Sequence, residues 1–244
     1  MKSLVMGASA GVGRALSEAL AARGDSLLLI SSDISDLNAL AAHLRLVFNA
    51  EIQVIEADAA QPEICLEKIR LALNFFSDVD AVFLPIGFSR PDDNGGLTIL
   101  EIQHIINVNL IVVMGVIGYL LPKFLSANKG HIVGFGSVAS LRGRRVNVVY
   151  SAAKRGLESY FESLFHLTAF SNIRIQFYKL GYVETTQSFG KKLLLPIMSP
   201  NKVSKTVISN LGRNSRIIYL PRYWVFISKL LPLIPWPIFK RLNF

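Results

Sequence analysis

Tyr150 and Lys154, four residues apart, are the side chains of this sequence best suited to chemistry. Residues at that spacing share one face of a helix, so the Lys154 ammonium is expected beside the Tyr150 phenol, where it favours the ionised form. A phenol that ordinarily titrates at about 10 could then work near neutrality. Ser137 stands thirteen residues before Tyr150, at the end of the apolar run 130–136. A tyrosine that donates a proton and a serine that holds a carbonyl oxygen predict carbonyl reduction or its reverse.

Two elements must position these groups. The run before Ser137 indicates a buried parallel strand, and open α/β sheets bind ligands at the carboxyl ends of such strands. At the start of the chain, a short strand over 1–6 leads into a glycine-rich turn from Gly7 to Gly13, followed by a helix to about Arg23. Glycines let a pyrophosphate approach the backbone, and the first N–H groups of a helix bind its charge. Alone, the Gly-x-x-x-Gly-x-Gly spacing is also typical of a tight turn without a ligand.

Apolar runs alternate with helical stretches along the 244 residues, which predicts an α/β protein with a doubly wound parallel sheet and helices on both faces. The seven predicted strands lie at about 2–6, 26–31, 52–56, 79–86, 130–136, 173–179 and 216–220. With 51% hydrophobic residues, a chain of this length builds one large core. We expect a single domain over 1–220 and an apolar, basic tail over 221–244.

These motifs resemble the short-chain dehydrogenase/reductase family over about residues 1–220. The resemblance implies a Rossmann-type fold and an NAD(P)-dependent oxidoreductase. It assigns Tyr150 as the acid/base, Lys154 to the nicotinamide ribose and to lowering the tyrosine pKa, and Ser137 to the substrate carbonyl. Asn109 would hold a relay water. The implied dinucleotide site, with Asp58 against the adenine, comprises Gly7, Ser9, Ala10, Gly11, Val12, Gly13, Ser32, Asp33, Asp58, Ala59, Gly87, Tyr150, Lys154, Val183 and Thr185.

The sequence departs from the family pattern at three structural supports. Leu84-Pro85-Ile86-Gly87 stands where Asn-Asn-Ala-Gly is usual, Leu180-Gly181 replaces Pro-Gly, and Met6 takes the place of a threonine. Each change affects cofactor affinity more than chemistry. The choice of cofactor depends on Ser32 and Asp33 after the second strand, because a carboxylate there suits the ribose of NAD and repels an NADP phosphate. The sequence therefore favours NAD(H), although Arg14 could supply charge for NADP(H).

Charge is divided unevenly along the chain. Residues 1–122 carry 7 Lys/Arg and 14 Asp/Glu, a net −7, and residues 123–244 carry 19 and 3, a net +16, which together give the total of +9. The basic half predicts an anionic partner such as a phosphorylated substrate or a membrane surface, with a solvated basic face as the alternative. No nucleic-acid motif accompanies the charge. Arg142, Arg144 and Arg145 lie between Ser137 and Tyr150 and are candidates for binding a substrate phosphate, or else face solvent or another subunit.

The tail over 221–244 is apolar, aromatic and flanked by cations. Its prolines and Lys229 argue against a membrane-spanning helix, whereas tryptophan and tyrosine among basic residues suit the interface of an anionic bilayer. The alternative is a tail packed over the substrate cleft or across a dimer. The segment Leu193–Met198 adds an apolar surface that fits a lipid-like substrate.

Segments 142–154, 219–221 and 234–242 further resemble the decaprenylphosphoryl-2-keto-ribose reductases, which act on a keto-pentose carried by a polyprenyl phosphate. That resemblance would explain the basic half, the arginines and the tail together. Two alternatives stay open: a reductase of acyl or steroid-like lipid ketones, and a non-catalytic protein that senses a dinucleotide.

The remaining expectations concern location and assembly. Cys65 is the only cysteine, which excludes an intrachain disulfide and favours a reducing compartment. We therefore expect a cytoplasmic protein, peripheral on the inner face of a membrane, with no cleavable leader before Gly7. The four histidines show no metal-ligand spacing. The family resemblance implies a homodimer or homotetramer built through the helices of Asn109 and Tyr150.

Overall fold

The computed structural model of the protein describes residues 1–76, 78–184 and 196–242. Its centre is one sheet of seven parallel strands in the order β3-β2-β1-β4-β5-β6-β7. The strands are β1 (Lys2–Met6), β2 (Ser26–Ser31), β3 (Ile52–Glu56), β4 (Ala81–Leu84), β5 (Gly130–Ser137), β6 (Ile173–Leu180) and β7 (Arg216–Leu220). The predicted doubly wound sheet is confirmed, with β4 shorter at both ends than its apolar run.

Helices cover both faces of the sheet. They are α1 (Gly11–Ala22), α2 (Ile34–Phe48), α3 (Pro62–Phe76), α4 (Ile99–Ile106), α5 (Val112–Ala127), α6 (Val148–Leu167), α7 (Pro200–Asn210), α8 (Trp224–Leu230) and α9 (Trp236–Phe239). Alternation along β1 shows how the core is divided: Leu4 and Met6 pack with α3, α5 and α6, whereas Val5 packs with α1, α2 and α7. Because strand side chains alternate in direction, one strand serves two cores.

Segment 99–127 is helical throughout and apolar enough to cross a membrane by length and composition. A π-helical turn, Asn107–Ile111, separates α4 from α5 within it. Val112, Val116 and Ile117 are buried against the sheet in the core with α3 and α6. The packing of these residues is that of a core helix.

The tail continues from β7 through α8, a 3-10 turn (Leu231–Leu233) and α9. Trp224 and Phe239 are buried, whereas most other large apolar side chains of this segment are exposed. The tail thus contacts the body of the protein at a few points and presents apolar surface elsewhere. The division into a domain over 1–220 and a tail over 221–244 stays a prediction.

Candidate active site

The turn between β1 and α1 is built so that only glycine fits. Gly7 and Gly11 have φ values of +82° and +52°, in the left-handed region. The Gly7 N–H donates to the Ile30 carbonyl at 2.8 Å, which ties the turn to β2. A Cβ on Gly13 would overlap the Gly7 carbonyl oxygen. The loop therefore brings bare backbone to the carboxyl end of the sheet.

The N-terminus of α1 is suited to an anion. Ala10 precedes the helix in an extended conformation and contributes no capping side chain. Within the described residues, no N-cap side chain accepts a hydrogen bond from the first N–H groups of α1. Free N–H groups at the start of a helix bind phosphate. Ser9 is fixed nearby, since its Oγ lies 2.7 Å from that of Ser31. This cradle fits a dinucleotide pyrophosphate.

The predicted adenosine end lies at the ends of β2 and β3. Asp33 is the N-cap of α2, where its Oδ1 accepts from the Asp36 N–H at 2.9 Å, and Ser32 before it is exposed. Asp58 is also exposed, and its Oδ1 accepts from the Ala60 N–H at 2.9 Å. These contacts hold both carboxylates at the edge where the sequence predicts ribose and adenine. Their cofactor roles stay predictions.

Lys154 is buried at the centre of the site. Its Nζ donates to the carbonyls of Ile86 at 3.1 Å and Phe135 at 3.2 Å, beyond the end of β4 and within β5. Burial lowers the pKa of Lys154 from 10.5 to about 7. A Cβ on Gly87 would lie 3.4 Å from this Nζ and 3.3 Å from the Asn109 Oδ1. The structure therefore brings Gly87, Asn109 and Lys154 together, and their roles in the site stay predictions.

Asn109 belongs to the π-helical turn between α4 and α5 and is fully buried. Its Nδ2 donates to the carbonyls of Phe88 at 2.7 Å and Ile105 at 2.9 Å, and its Oδ1 accepts from the Phe88 N–H at 3.2 Å. The side chain thereby locks the strand exit that follows Gly87. Single π turns occur often at functional sites. The sequence predicted the helix and the asparagine but not this turn.

Tyr150 lies at the start of α6 and is half-buried. Desolvation raises the pKa of Tyr150, while the Ser137 hydroxyl and the nearby charge of Arg144 lower it without cancelling the rise. Lys154 is not among the groups that shift this pKa, so its role in lowering the tyrosine pKa stays a prediction. The Lys154 Nζ lies 5.9 Å from the Tyr150 ring centroid, and its own buried charge is easily lost because its pKa is about 7.

Ser137 ends β5 and opens a 3-10 turn, Val138–Leu141, where its Oγ accepts from the Ala139 N–H at 3.1 Å. A polar network that the sequence did not reveal supports this turn. Ser140 Oγ lies 2.7 Å from the Ser137 carbonyl and 3.1 Å from Glu158 Oε2. Glu158 Oε1 in turn pairs with the buried Lys179 at 2.6 Å. This network joins β6 and α6 to the serine turn.

The three loop arginines divide between the site and the tail. Arg142 donates from Nη1 to the Leu231 and Ile234 carbonyls at 2.8 and 2.6 Å, and its guanidinium lies 3.8 Å from the Phe239 ring centroid. Arg145 donates to the Lys240 carbonyl at 2.7 Å. Arg144 alone influences Tyr150. The substrate roles of Arg142, Arg144 and Arg145 stay predictions, but two of the three have observed contacts with the tail.

The substrate side is described only in part. Val183 forms an isolated parallel bridge with Met198, which joins the exit of β6 to the segment before α7. Tyr223 donates to the Pro196 carbonyl at 3.4 Å, so the tail also meets this segment. Thr185 and residues 193–195, the first half of the predicted apolar segment Leu193–Met198, lie outside the described residues.

The sequence matches the short chain dehydrogenase family over residues 2–192, and the chain belongs to that family. The 3-oxoacyl-[acyl-carrier-protein] reductase of Escherichia coli is 30% identical over 183 residues, covering 75% of this chain and 73% of the relative. The inactive hydroxysteroid dehydrogenase-like protein 1 of Rattus norvegicus is 27% identical, covering 94% and 75%. A short-chain dehydrogenase of Sphingobium yanoikuyae, solved with NADPH, superposes with a TM-score of 0.85 at 22% identity, covering 99% of this chain and 96% of that one.

The protein is therefore a short-chain dehydrogenase/reductase, an oxidoreductase of the class that uses NAD(P)(H). The predictions of fold, enzyme class and cofactor class are confirmed at that level. The matches do not distinguish NAD from NADP, nor do they point to the decaprenylphosphoryl-2-keto-ribose reductases.

Proposed function

We propose that this protein reduces a ketone to a secondary alcohol at the expense of NADH, with Tyr150 as the proton donor. The observation that carries the proposal is a connected set of side chains. Asn109 and Lys154 both lie beside Gly87, the Lys154 Nζ is 5.9 Å from the Tyr150 ring centroid, and Ser137 influences the Tyr150 phenol. When bound, the reduced dinucleotide supplies a hydride to the carbonyl carbon. The protein must then supply one proton to the carbonyl oxygen.

Tyr150 suits that step because burial raises its pKa and keeps the phenol protonated at neutral pH. Ser137 can donate its hydroxyl to the same carbonyl oxygen and hold it near the phenol. Loss of the proton leaves a phenolate, which the nearby charge of Arg144 stabilises. Lys154, with a pKa of about 7, can gain and lose a proton at physiological pH and so return one to Tyr150.

The cofactor proposal is NAD(H). Asp33 places a carboxylate at the end of β2, where it would repel an added phosphate. Arg14, the candidate for reversing this preference, forms an ion pair with Glu18, Nε to Oε1, at 3.3 Å. Titration of tryptophan fluorescence with NADH and NADPH tests the choice. We expect wild type to bind NADH more tightly than NADPH. Asp33→Ser should reduce this preference, whereas Asp36→Ser, which removes an exposed carboxylate from the first turn of the same helix, should keep it. Equal or tighter NADPH binding by wild type would overturn the choice.

For the substrate, we propose a ketone carried on an anionic lipid, with a polyprenyl-phosphate keto-pentose as the first candidate. The tail supports a membrane partner: Phe226, Leu233 and Trp236 are 72%, 75% and 64% exposed. Exposed Lys229 and Lys240 lie among them. Exposed aromatic and aliphatic side chains interspersed with cations match the interface of an anionic bilayer. We accordingly place the protein on the cytoplasmic face of a membrane.

A vesicle sedimentation assay tests the membrane partner separately. Binding to vesicles of phosphatidylglycerol and phosphatidylcholine, but less to phosphatidylcholine alone, is expected for wild type. The double variant Phe226→Ser/Trp236→Ser should lose this binding. Phe170→Ser, which removes a fully exposed aromatic side chain just beyond the C-terminal end of α6, is the control. Equal binding by both variants would refute the role of the tail.

A comparison of ketones tests the substrate. NADH oxidation should be faster with the lipid-linked keto-pentose than with the same sugar lacking its lipid. Equal rates with the two substrates would refute the proposal that the ketone is carried on a lipid. Faster turnover of a 3-oxoacyl thioester would favour the acyl alternative, to which the name of the Escherichia coli relative points.

The non-catalytic alternative has one comparison in its favour, since the Rattus norvegicus relative is named as inactive. The buried Lys154 argues against it here, because its pKa is lowered to about 7 and strongly shifted pKa values are typical of catalytic sites. A Tyr150→Phe variant with full biological activity would favour it. A homodimer or homotetramer is part of the proposal, and light scattering of the purified protein tests it.

A further inference from the structure

A single loop residue caps the helix that carries the catalytic tyrosine. Helix α6 begins at Val148, and the residue before it, Asn147, has a left-handed backbone and contributes no capping side chain. The first N–H groups of a helix lack intrahelical acceptors and need partners from elsewhere. In α6 the N–H groups of Val148, Val149 and Tyr150 all find their acceptors on Asp93. Asp93 lies 57 positions before Tyr150, in the segment between β4 and α4.

The geometry accounts for each donor in turn. The Val148 N–H donates to the Asp93 carbonyl at 3.3 Å. The Val149 N–H donates to Oδ1 and the Tyr150 N–H to Oδ2, both at 2.9 Å. Asp93 is 1% exposed. The positive end of the α6 dipole stabilises a carboxylate in this position. One of these three bonds is made to the backbone of the proposed proton donor itself.

The chain that leads to Asp93 is also fixed at its start, on the dinucleotide side of the site. It leaves β4 through Gly87 and Phe88, and the Asn109 side chain makes hydrogen bonds to both the N–H and the carbonyl of Phe88. The segment therefore spans from the residues around Lys154 to the first turn of α6. Its length and its capping contacts fix Tyr150 relative to Gly87.

We propose that Asp93 is a positioning residue that sets the place of Tyr150 in the reaction, a role that rests on the proposed reductase function. A displacement of about 1 Å in a reacting group can cost about 100-fold in rate. Loss of the cap should therefore lower kcat more than it changes dinucleotide binding. Lys154 supports that distinction, because its Nζ is held by the carbonyls of Ile86 and Phe135 and not by Asp93.

Three variants test the proposal in the full-length protein: Asp93→Ala, Asp93→Asn and the control Asp92→Asn. Asp92 is exposed and pairs with Arg90, so the control removes the neighbouring carboxylate without touching α6. We expect Asp93→Ala to lower kcat per folded molecule about 10- to 100-fold, with the dissociation constant of NADH changed less than about threefold. Asp93→Asn keeps one acceptor oxygen and should recover part of the loss.

A second readout does not depend on activity. Hydrogen exchange at the Val149 and Tyr150 amides should be at least about tenfold faster in Asp93→Ala, while the control leaves it unchanged. Wild-type kcat per folded molecule in both Asp93 variants, or unchanged exchange, would overturn the proposal. Should the alanine variant fail to fold, Asp93→Asn decides by the same two measurements. If wild type reduces no ketone, the proposed function fails, and the exchange data alone then decide whether Asp93 holds Tyr150.

Discussion

The burial of Lys154 makes a prediction about stability that is independent of any substrate. Lys154 is 3% exposed, and burial lowers its pKa from 10.5 to about 7. At about 1.4 kcal/mol per pH unit, that difference corresponds to about 5 kcal/mol of destabilisation while the lysine is charged. Replacement by Met, which has a similar length and no charge, removes this cost. The replacement also leaves the Ile86 and Phe135 carbonyls without this hydrogen-bond donor, which lowers the free energy of unfolding by about 1–3 kcal/mol for each carbonyl.

The two effects differ in their pH dependence. The change with pH in the difference between the unfolding free energies of wild type and Lys154→Met is therefore more informative than the size of that difference at one pH. Between the folded and unfolded pKa values, the unfolded chain binds a proton at Lys154 that the folded protein has lost. The free energy of unfolding of wild type therefore rises with pH from about 7 to about 10.5. Lys154→Met lacks this rise, whereas the cost of the unpaired carbonyls does not change with pH.

Urea denaturation of the ligand-free protein at several pH values measures the difference. The stability of Lys154→Met relative to wild type should be greatest at or below about pH 6 and fall by about 2 kcal/mol between about pH 7 and pH 9. Lys205→Met, which removes the same charge from an exposed position on α7, controls for net charge. A relative stability of Lys154→Met that stays constant across this range would refute the reasoning.

Three further changes test other parts of the site. Tyr150→Phe removes the proton donor, so kcat for ketone reduction should fall about 1000-fold while fluorescence titration shows unchanged NADH affinity; an equal loss of affinity would contradict this. Gly13→Ala places a methyl group against the Gly7 carbonyl, so thermal denaturation should show a lower Tm and NADH affinity should fall at least about tenfold, and wild-type binding would refute the steric argument. Arg142→Ala removes two hydrogen bonds to the tail, so limited proteolysis should cleave the tail faster than in wild type, and an unchanged rate would show that other contacts hold it.

Local patterns predicted most of the fold. Apolar runs gave all seven strands because buried parallel strands must be apolar on both faces. The glycine spacing predicted the turn at Gly7, where the backbone conformation is allowed only at some cost for other residues. Tyr150 and Lys154 were predicted together because a fixed spacing on one helix determines their proximity.

Features that depend on distant parts of the chain were not predictable. The four-residue spacing suggested an ammonium that lowers the pKa of Tyr150, but the depth of burial, which no local pattern encodes, dominates both groups. Arg142 lies in a basic loop that indicated an anion, yet its acceptors are carbonyls 89 and 92 positions away. Asp93 caps α6 across 57 positions, without any of the local signals that mark a helix start.

Isotope transfer shows whether this protein reduces a ketone by hydride transfer with Tyr150 as the proton donor. Protein would be incubated with NADH deuterated at the transferable position and with the lipid-linked keto-pentose, a 3-oxoacyl thioester or a bulky cyclic ketone, and the products analysed by mass spectrometry. We expect at least one of these ketones to give an alcohol with one deuterium at the new alcohol carbon. The Tyr150→Phe variant should form almost none of this deuterated alcohol. Dinucleotide binding without a deuterated alcohol from any of these ketones, with labelled NADH or NADPH, would contradict the account.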